Sequence, residues 1–323
     1  MRLAFVLASA KLGSAFSVAK DQHCGVFIAM PFPCHRILAA TALLLAAGLP
    51  ALAEDDAPLT LRLVSEVTSI QPGQPFYVGL ALHHGQGWHS YWEFPGVVGV
   101  PTNIKWKDLP AGFKAGPITW PEPQSVLMFQ IKAQGYERDV VLPIKITPPA
   151  DLKDGTRITL AGKASYMVCN RQCNPGFEDL SLTLPVKATP QPAINKPWHD
   201  KIHHELDLRP RPSNTWTATA AEGEDKIVLT LKPGKGAGAV SAANAAKIIY
   251  FTEDGLVDSD KPQQVERLKD GSLRFTLVKT SYIVGGKPTH ITGVLLNPPG
   301  WNAEGTLRCM RVDAALLPLT ARK

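Results

Sequence analysis

Two cysteines lie four residues apart in the segment ASYMVCNRQCNPGF (164–177), a spacing that suits thiol chemistry. A straight strand would hold the Cα atoms of Cys169 and Cys173 about 13 Å apart, whereas a disulfide needs about 4.4–6.8 Å. The backbone must therefore turn within 170–172 if the two sulfurs are to bond, and the asparagine and glycine residues around this point favour turns. The pattern predicts a hairpin with the cysteine pair at its tip.

Three kinds of chemistry are open to such a pair: redox exchange, a structural disulfide or metal binding. A closed loop of five residues stabilises a fold by only about 2 kcal/mol, against about 4.7 kcal/mol for a hundred-residue loop. Short loops tend towards strain, and strained, exposed disulfides are the ones that are readily reduced. Arg171, between the cysteines, could favour a thiolate on one of them. Redox exchange is therefore the favoured interpretation, and the other two remain open.

Strand patterns dominate the rest of the chain, with alternating or β-branched residues between proline and glycine turn signals. With 28 prolines and 26 glycines, few stretches could hold a long helix. Short strands at close spacing favour β-sandwiches, so we predict an all-β fold with two sandwich domains. The runs that carry this prediction are 59–64, 76–82, 140–146 and 157–163 in the first half, and 226–231, 247–251, 272–278 and 290–296 in the second.

The first 53 residues have the three-part layout of an export signal. A basic flank precedes the apolar run 37–49, and small residues at 51–53 form a cleavage site before Glu54. The run is about 13 residues long, and a transmembrane helix needs about 20. We therefore predict a cleaved signal peptide over 1–53, with Met30 as the suspected true start, and export to the periplasm.

Composition and motifs narrow the function of the exported part. The segment 1–53 carries four of the 34 basic residues and one of the 28 acidic residues, which leaves a nearly even balance of 30 to 27. No nucleic-acid partner is expected from that balance, and no phosphate loop or HExxH motif supports nucleotide binding or hydrolysis. The proline-rich stretch 188–213 predicts a linker between domains 54–187 and 214–323.

Several ordered motifs resemble the N-terminal periplasmic domain of the DsbD/ScsB thiol:disulfide interchange proteins. The resemblance covers roughly 60–187, and the second half of the chain is more loosely similar to the following portion of ScsB-type members. The motifs are GWHSYWEFPG (87–96), VPT (100–102), GPITWPEP (116–123), GYERDVVLPI (135–144) and YMVCNRQCNPG (166–176).

This resemblance implies an immunoglobulin-like sandwich in which Cys169 and Cys173 cycle between disulfide and dithiol. It also implies that Phe129 caps the pair, while Arg171 would tune it. Electrons would come from a membrane electron-transfer protein and pass to thioredoxin-like periplasmic proteins, as in cytochrome c biogenesis or copper tolerance. No cofactor or bound small molecule is implied, and a stand-alone soluble protein is expected.

A binding module for copper or for a protein, with a purely structural disulfide, is the alternative function. His83, His84 and His89 lie close together in the sequence and could bind copper. Adjacent residues of a strand point to opposite faces, however, so His83 and His84 cannot easily share one ion. An ordinary strand end is the favoured interpretation of this cluster.

Two further features have competing structural interpretations. His199 and His203 have the i, i+4 spacing of a helical metal site, but no third acidic or cysteine ligand is obvious beyond Asp200 and Glu205. A solvated helix is favoured there, and no metal ligand is assigned in the chain. Cys309 lies in a strand-like run and is predicted to be a small buried side chain.

Overall fold

The computed structural model describes residues 57–188, 191, 193–281 and 288–319. These residues belong to one compact unit that begins at Glu54. The predicted signal peptide over 1–53, including Met30, lies outside the described residues. Within the described ranges, no helix is both long enough and apolar enough to cross a membrane.

Strands account for all the regular structure in the first half of the described chain. The runs predicted at 59–64, 76–82, 140–146 and 157–163 are all present as strands, which confirms the β prediction for this half. The strands are β1 Leu59–Ser65, β2 Phe76–His84, β3 His89–Tyr91, β4 Asn103–Lys107, β5 Lys114–Ile118, β6 Gln124–Met128, β7 Ile131–Tyr136, β8 Val140–Thr147, β9 Arg157–Cys169 and β10 Cys173–Pro185.

These ten strands form two sheets packed face to face. One sheet has the order β1-β2-β8-β5, and the other has the order β10-β9-β3-β7-β6 with β4 paired to β9. Alternate residues along β1, such as Leu59, Leu61 and Leu63, point into the shared core because successive side chains of a strand face opposite ways. The result is the immunoglobulin-like sandwich that the resemblance implies.

The second half holds the two described helices and a larger sheet. Its eight strands follow the order β14-β17-β18-β12-β13-β16-β15, with the short β11 paired to β18. The elements are α1 Lys196–Asp207, β11 Arg211–Pro212, β12 Trp216–Glu222, β13 Lys226–Pro233, α2 Ala242–Ala245, β14 Ile249–Thr252, β15 Gln264–Arg267, β16 Leu273–Val278, β17 His290–Leu296 and β18 Cys309–Pro318.

Helix α1 packs on the first sandwich rather than standing free between the two halves. A proline in its first turn suits the helix start, where no backbone donor is needed. Its buried residues Ile202 and Leu206 contact Val64 and Val141 on the outer face of the four-stranded sheet. Residues 196–207 of the predicted linker are thus held on the first sandwich by apolar contacts.

The two halves share buried surface as well. Phe251, Val294 and Cys309 come from β14, β17 and β18, yet they belong to the apolar core of the first sandwich. An ion pair of 2.8 Å joins Arg308 to the buried Glu122 beside this contact. Cys309 is a buried free thiol, as predicted, and burial raises its pKa well above the usual value for a cysteine.

Candidate functional site

The cysteine pair closes the hairpin formed by β9 and β10. Both strands have 13 residues, and Cys169 opposite Cys173 is the last pair of their ladder. Asn170 donates its backbone N–H to the Gln172 carbonyl at 3.0 Å, which closes the turn. The two cysteines form a disulfide with their Cα atoms 4.2 Å apart. The hairpin and the turn within 170–172 are as predicted.

The two sulfur-bearing residues differ sharply in exposure. Cys169 is 0% exposed, whereas Cys173 is exposed at the edge of the molecule. The difference follows from the sheet, because β9 has neighbours on both sides and β10 is an edge strand. Cys169 packs against Tyr91, Val126 and Ala133 of the neighbouring strands. A visiting thiol would therefore reach Cys173 first.

Tyr91 touches the buried sulfur directly. Its hydroxyl donates a hydrogen bond to Sγ of Cys169 at 3.1 Å. Burial raises the pKa of the Tyr91 phenol, so the hydroxyl keeps its proton at neutral pH. The loop that follows β3 lies against the ring, and a Cβ at Gly99, whose φ is +107°, would lie only 2.2 Å from it. Only glycine fits that position, which keeps the phenol in place.

His89 lies opposite Cys169 in the ladder between β3 and β9. Burial lowers the pKa of His89 to about 4, so its ring is neutral at pH 7 and cannot stabilise a thiolate as a cation. Among the described residues, its buried Nε2 has no hydrogen-bond partner. Of His89 and Tyr91, it is therefore the Tyr91 hydroxyl that can stabilise negative charge on the Cys169 sulfur, through its hydrogen bond.

The histidines considered for copper binding are separated as their strand position predicts. His83 points outward, with its Nδ1 2.8 Å from an Asp139 carboxylate oxygen. His84 is buried, its Nε2 lies 2.9 Å from the Ser90 hydroxyl, and burial lowers its pKa to about 4. Among the described residues, His83, His84 and His89 do not belong to any group of three ligand atoms close enough to share a metal ion.

Phe129 and Arg171 occupy two different exposed turns. Phe129 stands at the tip of the hairpin between β6 and β7, with φ +57° and its side chain 62% exposed. The preceding Met128 packs against the buried cluster that includes Cys169. Arg171 is exposed in the turn between the cysteines. Arg171 therefore lies beside the disulfide, whereas Phe129 is connected to the surroundings of Cys169 only through its chain neighbour Met128.

The second half of the chain holds the β6–β7 hairpin by specific hydrogen bonds. Lys132 donates its backbone N–H to Oδ1 of Asp260 at 2.9 Å. The Gln134 side chain accepts from the Thr252 N–H at 2.8 Å and donates to the Thr252 carbonyl at 2.9 Å. Ser259 accepts from the N–H of Val97, in the loop beside Tyr91. No sequence pattern marks these contacts, since they join residues more than 110 positions apart.

This domain is an immunoglobulin-like sandwich with a short-loop disulfide at one end. One cysteine of the disulfide is buried and the other is exposed. Residues 60–185 match the family model described as "Thiol:disulfide interchange protein DsbD, N-terminal". Residues 60–185 therefore form a domain of the DsbD N-terminal type, as the resemblance indicated.

One solved structure shares the fold. The N-terminal periplasmic domain of ScsB from Proteus mirabilis matches with a TM-score of 0.55 and 18% identity, over 81% of this chain and 95% of that chain. A protein of unknown function from Porphyromonas gingivalis W83 matches with a TM-score of 0.22 and 12% identity, over 80% of this chain and 100% of that chain. No curated protein matches the chain.

Proposed function

We propose that this chain carries reducing equivalents by thiol–disulfide exchange at Cys169 and Cys173. The observation that carries the proposal is the asymmetry of the disulfide, in which one residue is exposed and the other is buried beside a hydrogen-bond donor. The exposed residue can be attacked, and the buried one can leave as a stabilised thiolate. A bond with only a structural role would need neither feature. No cofactor enters this exchange.

The exchange proceeds in two displacements. A thiolate of a reduced partner attacks Sγ of Cys173, and the bond between the two cysteines breaks as a mixed disulfide forms. Cys169 leaves as a thiolate that accepts the Tyr91 hydrogen bond. A second thiolate of the partner then attacks the partner sulfur that is bonded to Cys173. The mixed disulfide breaks, and Cys173 is released. The partner ends as a disulfide, and this chain gains two electrons and, from solvent, a proton on Cys173, while Cys169 stays the thiolate that the Tyr91 hydroxyl stabilises.

Exposed apolar side chains near the disulfide support a protein partner. Val97, Leu127 and Phe129 are 42%, 53% and 62% exposed, and each is a chain neighbour of a residue that packs around Cys169. Apolar surface exposed beside a reactive bond is typical of a docking site. We propose that a membrane electron-transfer protein docks here from the periplasmic side of the membrane. Thioredoxin-like proteins of the periplasm would dock at the same place in turn.

The proposal also assigns the rest of the chain. Residues 1–53 would be the signal peptide that delivers the protein to the periplasm, 54–187 the redox domain, 188–213 the connection and 214–323 the second domain. Asp260 accepts a hydrogen bond from Lys132 and Thr252 donates one to Gln134, which supports a role for the second domain in holding the β6–β7 hairpin.

A redox titration of the cysteine pair tests the proposed function. Equilibrated with glutathione or thioredoxin couples, the pair should show a potential between about −180 and −270 mV, the range of known carriers. The fraction of free thiol can be read by alkylation and mass spectrometry, with Cys309 as a constant background. A value below about −300 mV would mark a structural bond and favour the binding-module alternative.

Phe129 is proposed to cap the reduced pair, and Phe129→Ala should then leave it less protected. Oxidation of the reduced variant by glutathione disulfide should be several times faster than oxidation of the unaltered protein, because a large apolar side chain no longer obstructs the approach to Cys173. Leu127→Ala is the matched control, since Leu127 is also exposed on β6 and precedes the tip. Equal rates for Phe129→Ala and the unaltered protein would exclude a capping role.

A further inference from the structure

Helix α1 places two histidine rings side by side on one face. His199 and His203 are one turn apart, and their rings stack with centroids 4.1 Å apart and planes inclined by 25°. Both side chains are partly exposed, at 33% and 46%. The proposed redox function uses neither residue. Helix α1 packs on the four-stranded sheet, whereas the cysteine pair lies in the six-stranded sheet.

The fold brings a carboxylate to this histidine pair from far away in the sequence. Glu66 directly follows β1, and its Oε2 lies 2.7 Å from Nε2 of His203. Its other oxygen, Oε1, accepts the backbone N–H of Tyr77 at 2.6 Å, and the side chain is only 11% exposed. One potential ligand atom from each of Glu66, His199 and His203 lies within 4.8 Å of the others.

We propose that Glu66, His199 and His203 form a binding site for a divalent transition-metal cation, best represented by Zn²⁺. Two imidazoles and one carboxylate are a donor set that zinc accepts, with a water molecule in the fourth position. Calcium and magnesium prefer all-oxygen surroundings and are poorly matched to imidazole. The partial exposure of both histidines leaves room for that water and for entry of the ion.

The three ligand atoms must shift to form a tetrahedron, since they lie within 4.8 Å of one another but not at the separations of bound ligands. Zinc ligands at about 2.0–2.1 Å in a tetrahedron are separated by roughly 3.3 Å, so Oε2 of Glu66 and Nε2 of His203 must move apart by about half an ångström. The ion takes the place of the proton between them, and Nε2 then presents its lone pair. The imidazole proton goes to Nδ1 or, if both nitrogens carried one, the extra proton goes to solvent.

Groups around the cluster already orient two of the ligands. The Tyr77 N–H fixes the Glu66 carboxylate, and an Asp200 carboxylate oxygen lies 3.4 Å from Nδ1 of His199. A carboxylate on the far nitrogen of a zinc-bound histidine is a frequent arrangement, since it sets the tautomer and the ring orientation. The backbone also ties the two elements together, because Asn195 donates its N–H to the Glu66 carbonyl at 2.7 Å. A bound ion would strengthen this attachment of α1 to the first sandwich.

Calorimetric titration of the disulfide-bonded unit Glu54–Lys323, which lacks Cys24 and Cys34, with Zn²⁺ tests the site. Zinc is redox-inert, so the disulfide stays intact and supplies no thiolate that could compete. We expect one site whose affinity falls at least tenfold in His199→Ala and in His203→Ala, and about tenfold in Asp200→Asn. His204→Ala is the matched control, because His204 is on the same helix but outside the cluster, and it should bind like the unaltered protein.

Thermal unfolding gives a second measurement that does not depend on the histidine substitutions. At a hundredfold excess over the dissociation constant, Zn²⁺ should raise the Tm by roughly 5 °C. Glu66→Gln keeps the size of the side chain and most of its hydrogen bonds, and it should fold but lose this shift. Unchanged zinc affinity in His199→Ala and His203→Ala, or an equal loss in His204→Ala, would overturn the proposal. None of these outcomes depends on the redox behaviour of the cysteines.

Discussion

The Cys169→Ser variant should capture a thioredoxin-like partner as a mixed disulfide, while Cys173→Ser should do so very slowly. Cys169→Ser retains the thiol at the exposed position, and Cys173→Ser retains only the buried one. Because exchange requires the thiolate and the partner sulfur to meet in line, we expect a difference in rate on the order of a hundredfold. The partner supplies an activated disulfide, and the adduct is measured by mass spectrometry.

The two variants form a matched pair. Each loses the same five-residue disulfide loop, whose contribution to stability is about 2 kcal/mol, so a difference between them does not report unfolding. Cys309 is present in both and buried, and the Cys169→Ser/Cys173→Ser double variant measures its background. Comparable rates for the two single variants would contradict the assignment of Cys173 as the attacked residue.

The hairpin and its disulfide could be predicted from the sequence because the constraints are local. Cys169 and Cys173 lie four positions apart, so the reach of the chain requires a turn between them if the disulfide forms. The strand predictions succeeded for the same reason, since alternation is read over a few neighbouring residues. The exposure of each cysteine could not be predicted in this way, because it depends on which of β9 and β10 lies at the edge of the sheet.

The groups that complete the site come from distant parts of the chain. Tyr91 reaches Cys169 from 78 positions earlier in the sequence, and although it lies in one of the aromatic motifs, nothing local shows that its hydroxyl meets the sulfur. Glu66 lies 137 positions before His203. Of the two acidic neighbours that the sequence offered to the histidine pair, Glu205 pairs with Arg138 at 2.7 Å instead, and Asp200 lies beside Nδ1 of His199. Such contacts follow from strand order and helix docking, which composition and spacing do not determine.

The Tyr91→Phe variant should make the disulfide harder to reduce. A hydrogen bond to a charged acceptor contributes about 1.5–3 kcal/mol, and for this two-electron couple 1.4 kcal/mol corresponds to about 30 mV. Since the Tyr91 hydroxyl stabilises the Cys169 thiolate more than the disulfide, its loss should make the potential more negative by about 30–60 mV. Attack on Cys173 should also slow by up to about tenfold, because Cys169 becomes a poorer leaving group.

Tyr136→Phe separates this effect from a general loss of packing. Tyr136 is fully buried on β7, and its hydroxyl donates a 3.0 Å hydrogen bond to the Pro121 carbonyl rather than to a cysteine. Removal of that hydroxyl should lower the free energy of unfolding and leave the potential of the pair unchanged. Phenylalanine keeps the ring against the loop at Gly99 in the Tyr91 variant, so the buried cluster stays filled. If both variants shift the potential equally, or if neither does, the Tyr91 hydroxyl does not stabilise the leaving thiolate.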